Sequence, residues 1–228
     1  MVRCPICNWT GKNFLSFGRP LRNDCKCPKC GSKERQRYFF LFLRNFLPKK
    51  KKINVLHVAP EKGIRDLFKS YPNISYLSID LHPKRFGAMH KEDLTALSFE
   101  DGSFDILFCS HVLEHIKNDV AALAELYRVL KKNGTAIVYV PLFNFDKTIE
   151  DCDYSPSKRF EIFGQEDHLR AYGKDFSSKL KKAGFNVRKV NFANHLKEKE
   201  LAEFGLIHHT EGTPLEGCSQ EEIYLCSK

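Results

Sequence analysis

The chain has 228 residues, 42% of them hydrophobic and 29% charged, which excludes a disordered chain and suffices for one medium domain with a core plus a small appendage. The formal net charge is +9. It is unevenly held, because residues 1–52 carry 14 Lys and Arg against 2 Asp and Glu, whereas residues 53–228 carry 23 against 26. That excess points to an acidic partner, either a nucleic acid or a phosphorylated substrate, or else offsets metal-bound thiolates. No apolar run approaches the roughly 20 residues that cross a bilayer, so no membrane role is expected. The opening MVRCPICNWTGK has no apolar leader segment, and the cytoplasm is the expected compartment.

Five of the nine cysteines fall within the first thirty residues. Cys4-Pro-Ile-Cys7 and Cys27-Pro-Lys-Cys30-Gly31 are two CxxC turns with 19 residues between them. Each such turn aims two thiolates at one point, and two turns complete a tetrahedron around zinc. The spacing therefore predicts a closed, structural zinc module over residues 1–33, held by Cys4, Cys7, Cys27 and Cys30. Cys25 is an alternative ligand to Cys27. A thioredoxin-like redox pair is disfavoured, since neither turn follows a strand of a βαβ unit.

Residues 34–47, ERQRYFFLFLRNFL, place Tyr38, Leu41 and Phe42 on one helical face, broadened by Phe39, Leu43 and Phe46. This predicts a helix that packs the N-terminal module onto the main domain. The run Pro48–Lys52, PKKKK, completes a connecting segment over 34–52.

From Ile53 the pattern alternates. Strands are expected at 53–59, 75–80, 105–110, 135–141, 186–192 and 221–228, with a weaker one near 88–92. Helices are expected at 62–71, 119–134 and 174–185. In the helix 119–134, Ala121, Leu123, Ala124, Leu126, Tyr127 and Leu130 form the apolar face, and Gly134 sits at its end. Strands alternating with helices imply an α/β fold with a mainly parallel sheet covered on both faces. Ligands then bind beyond the C-terminal strand ends, just after positions 59, 80, 110 and 141.

VLHVAPEKGI, then SID, then KEDLTALSFEDGSFDILFCSHVLEHI, then LAELYRVLKKNGTAIVYVP resemble the class I S-adenosylmethionine-dependent methyltransferases over roughly residues 53–192. The chain as a whole is similar to a bacterial-type group that adds a Cys-Pro-x-Cys zinc ribbon to this Rossmann-like, seven-stranded fold and carries FGQEDHLRAYGKDF late in the sequence. The resemblance implies a methyltransferase domain over 53–228 with S-adenosylmethionine as cofactor. It implies cofactor contacts at Ala59, Pro60, Glu61, Gly63, Asp80, Leu81, Asp93, Leu94, Ser110 and His111. The chemistry agrees. A carboxylate at Asp80 suits the two hydroxyls of a ribose, Asp93 suits the adenine amino group with Leu94 over the ring, and Ser110-His111 would lie beneath the sulfonium. The opening loop departs from the family pattern. His57 replaces the usual acidic residue, Ala59 and Glu61 replace the first two glycines, and Gly63 alone is kept. S-adenosylmethionine has no phosphate, so the demand for close backbone approach is weaker, and Glu61 could meet the cofactor's ammonium group.

Residues 142–172 form an insertion dense in charge and aromatics, in which Glu150, Asp151, Arg159, Asp167, His168, Arg170 and Tyr172 are expected to make a polar lid or pocket. His168 and His111 are the candidate bases. His115 is expected to be structural, and Glu114 to brace its loop. Carboxylates mixed with aromatics suit a glycan or other small hydroxylated acceptor. The alternatives are an RNA or protein methyltransferase that grips substrate through the basic ribbon, and a non-catalytic zinc-ribbon protein that binds nucleic acid.

Overall fold

The structure is a computed structural model that describes residues 1–18, 21–206 and 222–228. The first 33 residues form two small hairpins: β1 (Val2–Arg3) pairs with β2 (Thr10–Gly11), and β3 (Leu15–Phe17) with β4 (Arg22–Lys26). Their core is only Cys4, Phe14 and Cys27, flanked by Val2, Ile6, Cys7 and Trp9. So few apolar groups cannot hold a module alone, and the ribbon leans on its neighbours. It hands over to α1 (Glu34–Phe46), which buries Tyr38, Phe39, Phe42 and Leu43. Phe39 meets Phe108 and Tyr139 edge-on at 5.3 and 4.7 Å between centroids. Arg37, fully buried, pins three parts together. It donates to Cys25 O and Ser32 O in the ribbon and to Phe204 O and Gly205 O near the C-terminus, and lies 3.9 Å from the Phe14 ring centroid.

The main domain runs β5 (Ile53–Val58), α2 (Lys62–Lys69), β6 (Ile74–Asp80), α3 (Pro83–Phe86), β7 (His90–Lys91), β8 (Phe104–Ser110), α4 (Asp119–Val129) and β9 (Leu130–Tyr139). It continues through β10 (Ile149–Glu150), α5 (Pro156–Phe163), β11 (Arg170–Ala171), α6 (Phe176–Lys182), β12 (Asn186–Asn191), α7 (Glu198–Glu203) and β13 (Glu222–Ser227). Seven strands form one sheet in the order β12-β13-β9-β8-β5-β6-β7. Only β13 runs antiparallel to its neighbours. Strand alternation splits the core between the two faces. Leu56 and Val58 of β5 face the cluster built with α4 and α6, while Ile53 and Val55 face the one built with α1 and α2.

Several boundaries differ from the sequence pattern. The helix expected to reach residue 134 stops at Val129 and passes directly into β9. Its buried face is Ala122, Leu123, Leu126 and Val129, not a face containing Ala121 and Ala124. Gly134 lies inside β9, where a Cβ would come within 2.9 Å of Asp105 O and 2.7 Å of the Leu130 side chain. Its need is close strand approach, not a helix end. The helix expected at 174–185 is the shorter α6. The weak strand near 88–92 is the two-residue edge strand β7. Residue 221, expected to open the last strand, lies outside the described residues.

The insertion is a small unit of its own, with β10 paired to β11 and α5 between them. Ser155 caps α5, Pro156 opens it, and Gly164 closes it in the left-handed conformation. Arg170 fixes this unit to the 3-10 turn Leu113–His115. It donates to the carbonyls of Leu113, Ile116 and Lys117, and lies 2.9 Å from Glu150 and 3.7 Å from Asp119. Tyr172 OH donates to Asp119 Oδ2 at 2.9 Å. Among the described residues no helix is long and apolar enough to cross a membrane.

Candidate cofactor and acceptor site

The expected cofactor residues gather along the C-terminal edge of β5, β6 and β8. Ala59 takes a left-handed φ of 50°, and its N–H donates to Ile79 O at 2.9 Å. Asp80 Oδ1 accepts the His82 N–H at 2.6 Å. Asp93 Oδ1 takes both the N–H and the hydroxyl of Thr95, at 2.8 and 2.7 Å, and these bonds hold its carboxyl below the usual range. Leu81 is exposed, whereas Leu94 is buried in the sheet core. Glu61 occupies the N-cap position of α2 without a side-chain capping bond, and its Oε1 accepts from Gln36 at 2.9 Å and Arg35 at 3.3 Å. Glu61 Oε2, Ser110 Oγ and His111 Nε2 are buried with no hydrogen-bond partner. Three orphaned polar atoms at one sheet edge fit a polar ligand that would satisfy them.

Gly63 also answers a packing demand. A Cβ there would come within 3.0 Å of two Ile6 side-chain atoms. The ribbon's first cysteine turn packs onto the start of α2, and Gly63 is its seat.

His57 sits beneath the loop, caged by Phe68, Tyr76 and Phe108. Its Nδ1 lies 3.1 Å from Tyr76 OH. Burial, reinforced by the Arg65 charge, pushes its pKa down to about 3, so this position is neutral where the resembling family carries an acid.

A cavity of about 780 Å³ lies between ribbon and insertion. Phe17, Arg22, Lys33 and Arg35 form one wall, Phe160, Glu166, Asp167 and His168 line the other, and His111 and Pro141 complete it. Burial and the neighbouring Arg35 and Arg22 lower the Lys33 pKa. Arg22 and Arg35 pair with Glu34 and Glu61. The lysine run 49–52 is remote: it precedes β5, whereas the site follows it, about 20 Å away at strand rise.

His111 has a left-handed φ of 54°, and its Nδ1 lies 3.0 Å from Glu114 Oε1. Burial lowers His111 to about 4. Burial alone would raise Glu114, but the neighbouring imidazoles, His111 foremost, hold it down to about 2. His168 Nδ1 lies 3.2 Å from Phe163 O. His115, read from sequence as structural, stands beside His168 with ring centroids 4.8 Å apart. The structure thus brings together His111, Glu114, His115 and His168. The sequence signal was present in the Glu-His pair one turn after His111, but nothing local ties it to residue 168.

The expected polar lid divides. Asp167 and His168 line the cavity. Arg170 and Tyr172 are buried braces, Glu150 pairs with Arg170, and Arg159 donates to Cys152 O. Density of charge did not distinguish pocket from strut.

In the ribbon, the sulfurs of Cys4, Cys7, Cys27 and Cys30 all lie within 4.8 Å of one another. Cys4–Cys30 and Cys7–Cys27 are each 3.6 Å apart, close to the ~3.8 Å edge of a tetrahedron with 2.3 Å Zn–S bonds. Cys25 points elsewhere, with its Sγ 3.5 Å from Phe17 O.

Residues 67–138 match the family model described as a methyltransferase domain. An uncharacterised protein of Methanocaldococcus jannaschii is 37% identical over 92 residues, which are 39% of this chain and 40% of the relative; the chain thus spans less than half of that relative's length. An S-adenosylmethionine-dependent methyltransferase from Archaeoglobus fulgidus has the same fold at a TM-score of 0.54 and 15% identity, over 85% of this chain and 94% of that one. One from Mesorhizobium loti reaches 0.50 at 16% identity, over 82% and 94%. Residues 67–138 thus match a methyltransferase-domain model, and the main domain, preceded by a four-cysteine ribbon, has the class I methyltransferase fold.

Proposed function

We propose that this chain transfers the methyl group of S-adenosylmethionine to a hydroxyl of a glycan or other small hydroxylated acceptor. The single observation that carries the reading is the cavity between ribbon and insertion. At about 780 Å³ it has the size of a small-molecule site, and it reaches His111 at the strand end. Its walls are of opposite sign, which suits an acceptor whose hydroxyls face Glu166 and Asp167 while an acidic group faces Arg22, Lys33 and Arg35. The lysine run stands at the wrong end of β5 to assist an RNA chain in that cavity, which disfavours the nucleic-acid reading.

In this reading Asp80, with Leu81 beside it, receives the ribose hydroxyls. Asp93 and Leu94 hold the adenine, and the orphaned Glu61 Oε2 takes the ammonium group. The Ala59–Gly63 loop frames the methionine end, and Ser110 lies under it. Bound S-adenosylmethionine supplies an electrophilic methyl carbon. The chain has then to align the acceptor and remove a proton. Glu114 fixes His111 through Nδ1, leaving the unpartnered Nε2 to accept the hydroxyl proton. Zinc held by Cys4, Cys7, Cys27 and Cys30 keeps the ribbon, and with it one cavity wall, in shape.

Calorimetric titration with S-adenosylmethionine and S-adenosylhomocysteine tests the reading. Both should bind, and Asp80→Ala should weaken both on the order of tenfold. Absence of binding to the zinc-replete protein would show a retired cofactor site and leave a ribbon that binds other partners.

A further inference from the structure

The cluster behind the cavity carries more than a base. Glu114 and His115 follow one another in the 3-10 turn, and His168 reaches them from the insertion. Each offers a ligand atom, and these atoms all lie within 4.8 Å of one another. Two further observations point to an ion. First, both imidazoles have Nδ1 beside a main-chain carbonyl, His115 with Asp167 O at 3.2 Å and His168 with Phe163 O at 3.2 Å. Metal-ligating histidines are oriented by such an outer bond, which fixes the tautomer and frees the other nitrogen. Second, Glu114 is only 1% exposed; its Oε1 faces His111 Nδ1 at 3.0 Å, while its Oε2 has no hydrogen-bond partner. A buried carboxylate with one oxygen unpartnered is suited to a cation beside it. The only lysine or arginine that grips this turn, among the described contacts, is Arg170, and it spends its donors on the carbonyls of Leu113, Ile116 and Lys117 and on Glu150.

We propose that Glu114, His115 and His168 form a divalent-metal site, separate from the cysteine ribbon, that opens to the acceptor cavity through His168. Two imidazoles and one carboxylate leave positions open for substrate oxygen, and the mixed nitrogen and oxygen donors suit manganese, cobalt or iron(II) better than magnesium. Resting on the O-methyltransferase reading, the ion has a defined task. It holds the acceptor hydroxyl and makes its proton easier to remove. The hydroxyl proton passes to His111 Nε2, the oxygen forms a bond to the methyl carbon, the carbon–sulfur bond breaks with its electron pair left on sulfur, and His111 returns the proton to solvent. His168 is in this account a ligand, and His111 alone is the base.

The test uses the full chain, with zinc in the ribbon and loosely held metal removed by a mild chelator. Manganese is the probe, because it disfavours thiolate ligands. Titration followed by electron paramagnetic resonance should show one exchangeable ion per chain beside the retained zinc, without any need for S-adenosylmethionine. Glu114→Gln and His168→Gln should each weaken binding on the order of 10–100-fold. His115→Gln should do the same, and it guards against a folding artefact because the His115 side chain is 34% exposed. Unchanged manganese binding in all three variants, or no binding by the parent chain, would overturn the site. Full methyl transfer by chain freed of exchangeable metal would overturn its catalytic task and leave the methyltransferase reading intact. Manganese bound as expected in a chain that does not bind S-adenosylmethionine would uphold the site and sink that reading instead.

Discussion

The two halves of the sheet's C-terminal edge are built in opposite ways. On the β5–β6–β7 side the two aspartates at the strand ends are satisfied locally. Asp80 and Asp93 each accept from the residue two positions on, and Ala59 bonds to the neighbouring strand. On the β8–β9 side the bonds that brace the insertion span the chain, while His111 and Glu114 meet within one turn. Arg170 reaches back 57 residues to Leu113, Leu169 N–H donates to Glu114 O, and α1 and the ribbon supply one wall of the cavity. A shared cofactor can be met by a local, transferable edge. An acceptor pocket particular to one chain needs parts from distant segments, and those parts need bracing. The two halves should therefore fail independently.

Arg170→Met should give the largest effect. The change keeps most of the side chain's volume but removes the clamp between insertion and turn, and leaves Asp119 with Lys179 and the Tyr172 hydroxyl. Loss of a buried, multiply bonded cation costs on the order of 3 kcal/mol. Denaturant unfolding measures that cost. Calorimetry in the same variant should find S-adenosylmethionine affinity within roughly twofold of the parent, as expected for separated sites. A collapse of cofactor affinity would show that the two halves are one unit.

The next effect sharpens the local half and depends on pH. His57 lies under the Ala59–Gly63 loop with its pKa pushed down to about 3, against an unfolded value near 6.5. Between those values the unfolded chain binds a proton that the folded chain refuses. The stabilising contribution is therefore whole above the unfolded pKa and is lost as pH falls toward the folded one, at about 1.4 kcal/mol per pH unit. His57→Phe should remove that share of the slope when unfolding free energies are compared between roughly pH 6 and 4. Identical slopes in parent and variant would show that the imidazole is charged in the folded chain.

What could be read from sequence follows the same division. The strand-end positions of Asp80, Ser110 and His111 are placed by sequence because a strand, its end and the following polar residue are contiguous. The cysteine turns are placed too, because their geometry is fixed within four residues. Gly63 carries a packing demand that its loop does not announce, because Ile6, against which a Cβ there would clash, lies 57 positions earlier in the sequence. Arg170 and Tyr172 misled because a charged or phenolic side chain in a polar stretch gives no sign that buried carbonyls and a carboxylate await it. His115 was set aside because its partner, His168, comes from another element. The gradient of charge was legible, but its use was not: the lysine run is remote from the site, while Arg22, Lys33 and Arg35 line the cavity.

The smallest effect tests whether the glycine-poor loop is a handicap at all. Ala59 holds a left-handed φ of 50°, which costs a non-glycine residue about 1 kcal/mol. Ala59→Gly relieves that strain but frees the unfolded chain by a comparable amount, roughly 0.5–1 kcal/mol. The Ala59 N–H donates to Ile79 O in either case, so no backbone group is orphaned. Net stability should therefore change by less than about 0.5 kcal/mol, with cofactor affinity nearly constant. A gain in affinity of tenfold or more would mean that the alanine methyl intrudes on the cofactor, and that the loop has traded binding for rigidity. Near-equality would mean that Ala59, with Pro60 behind it, already gives the loop the shape a glycine would reach only at an entropic cost.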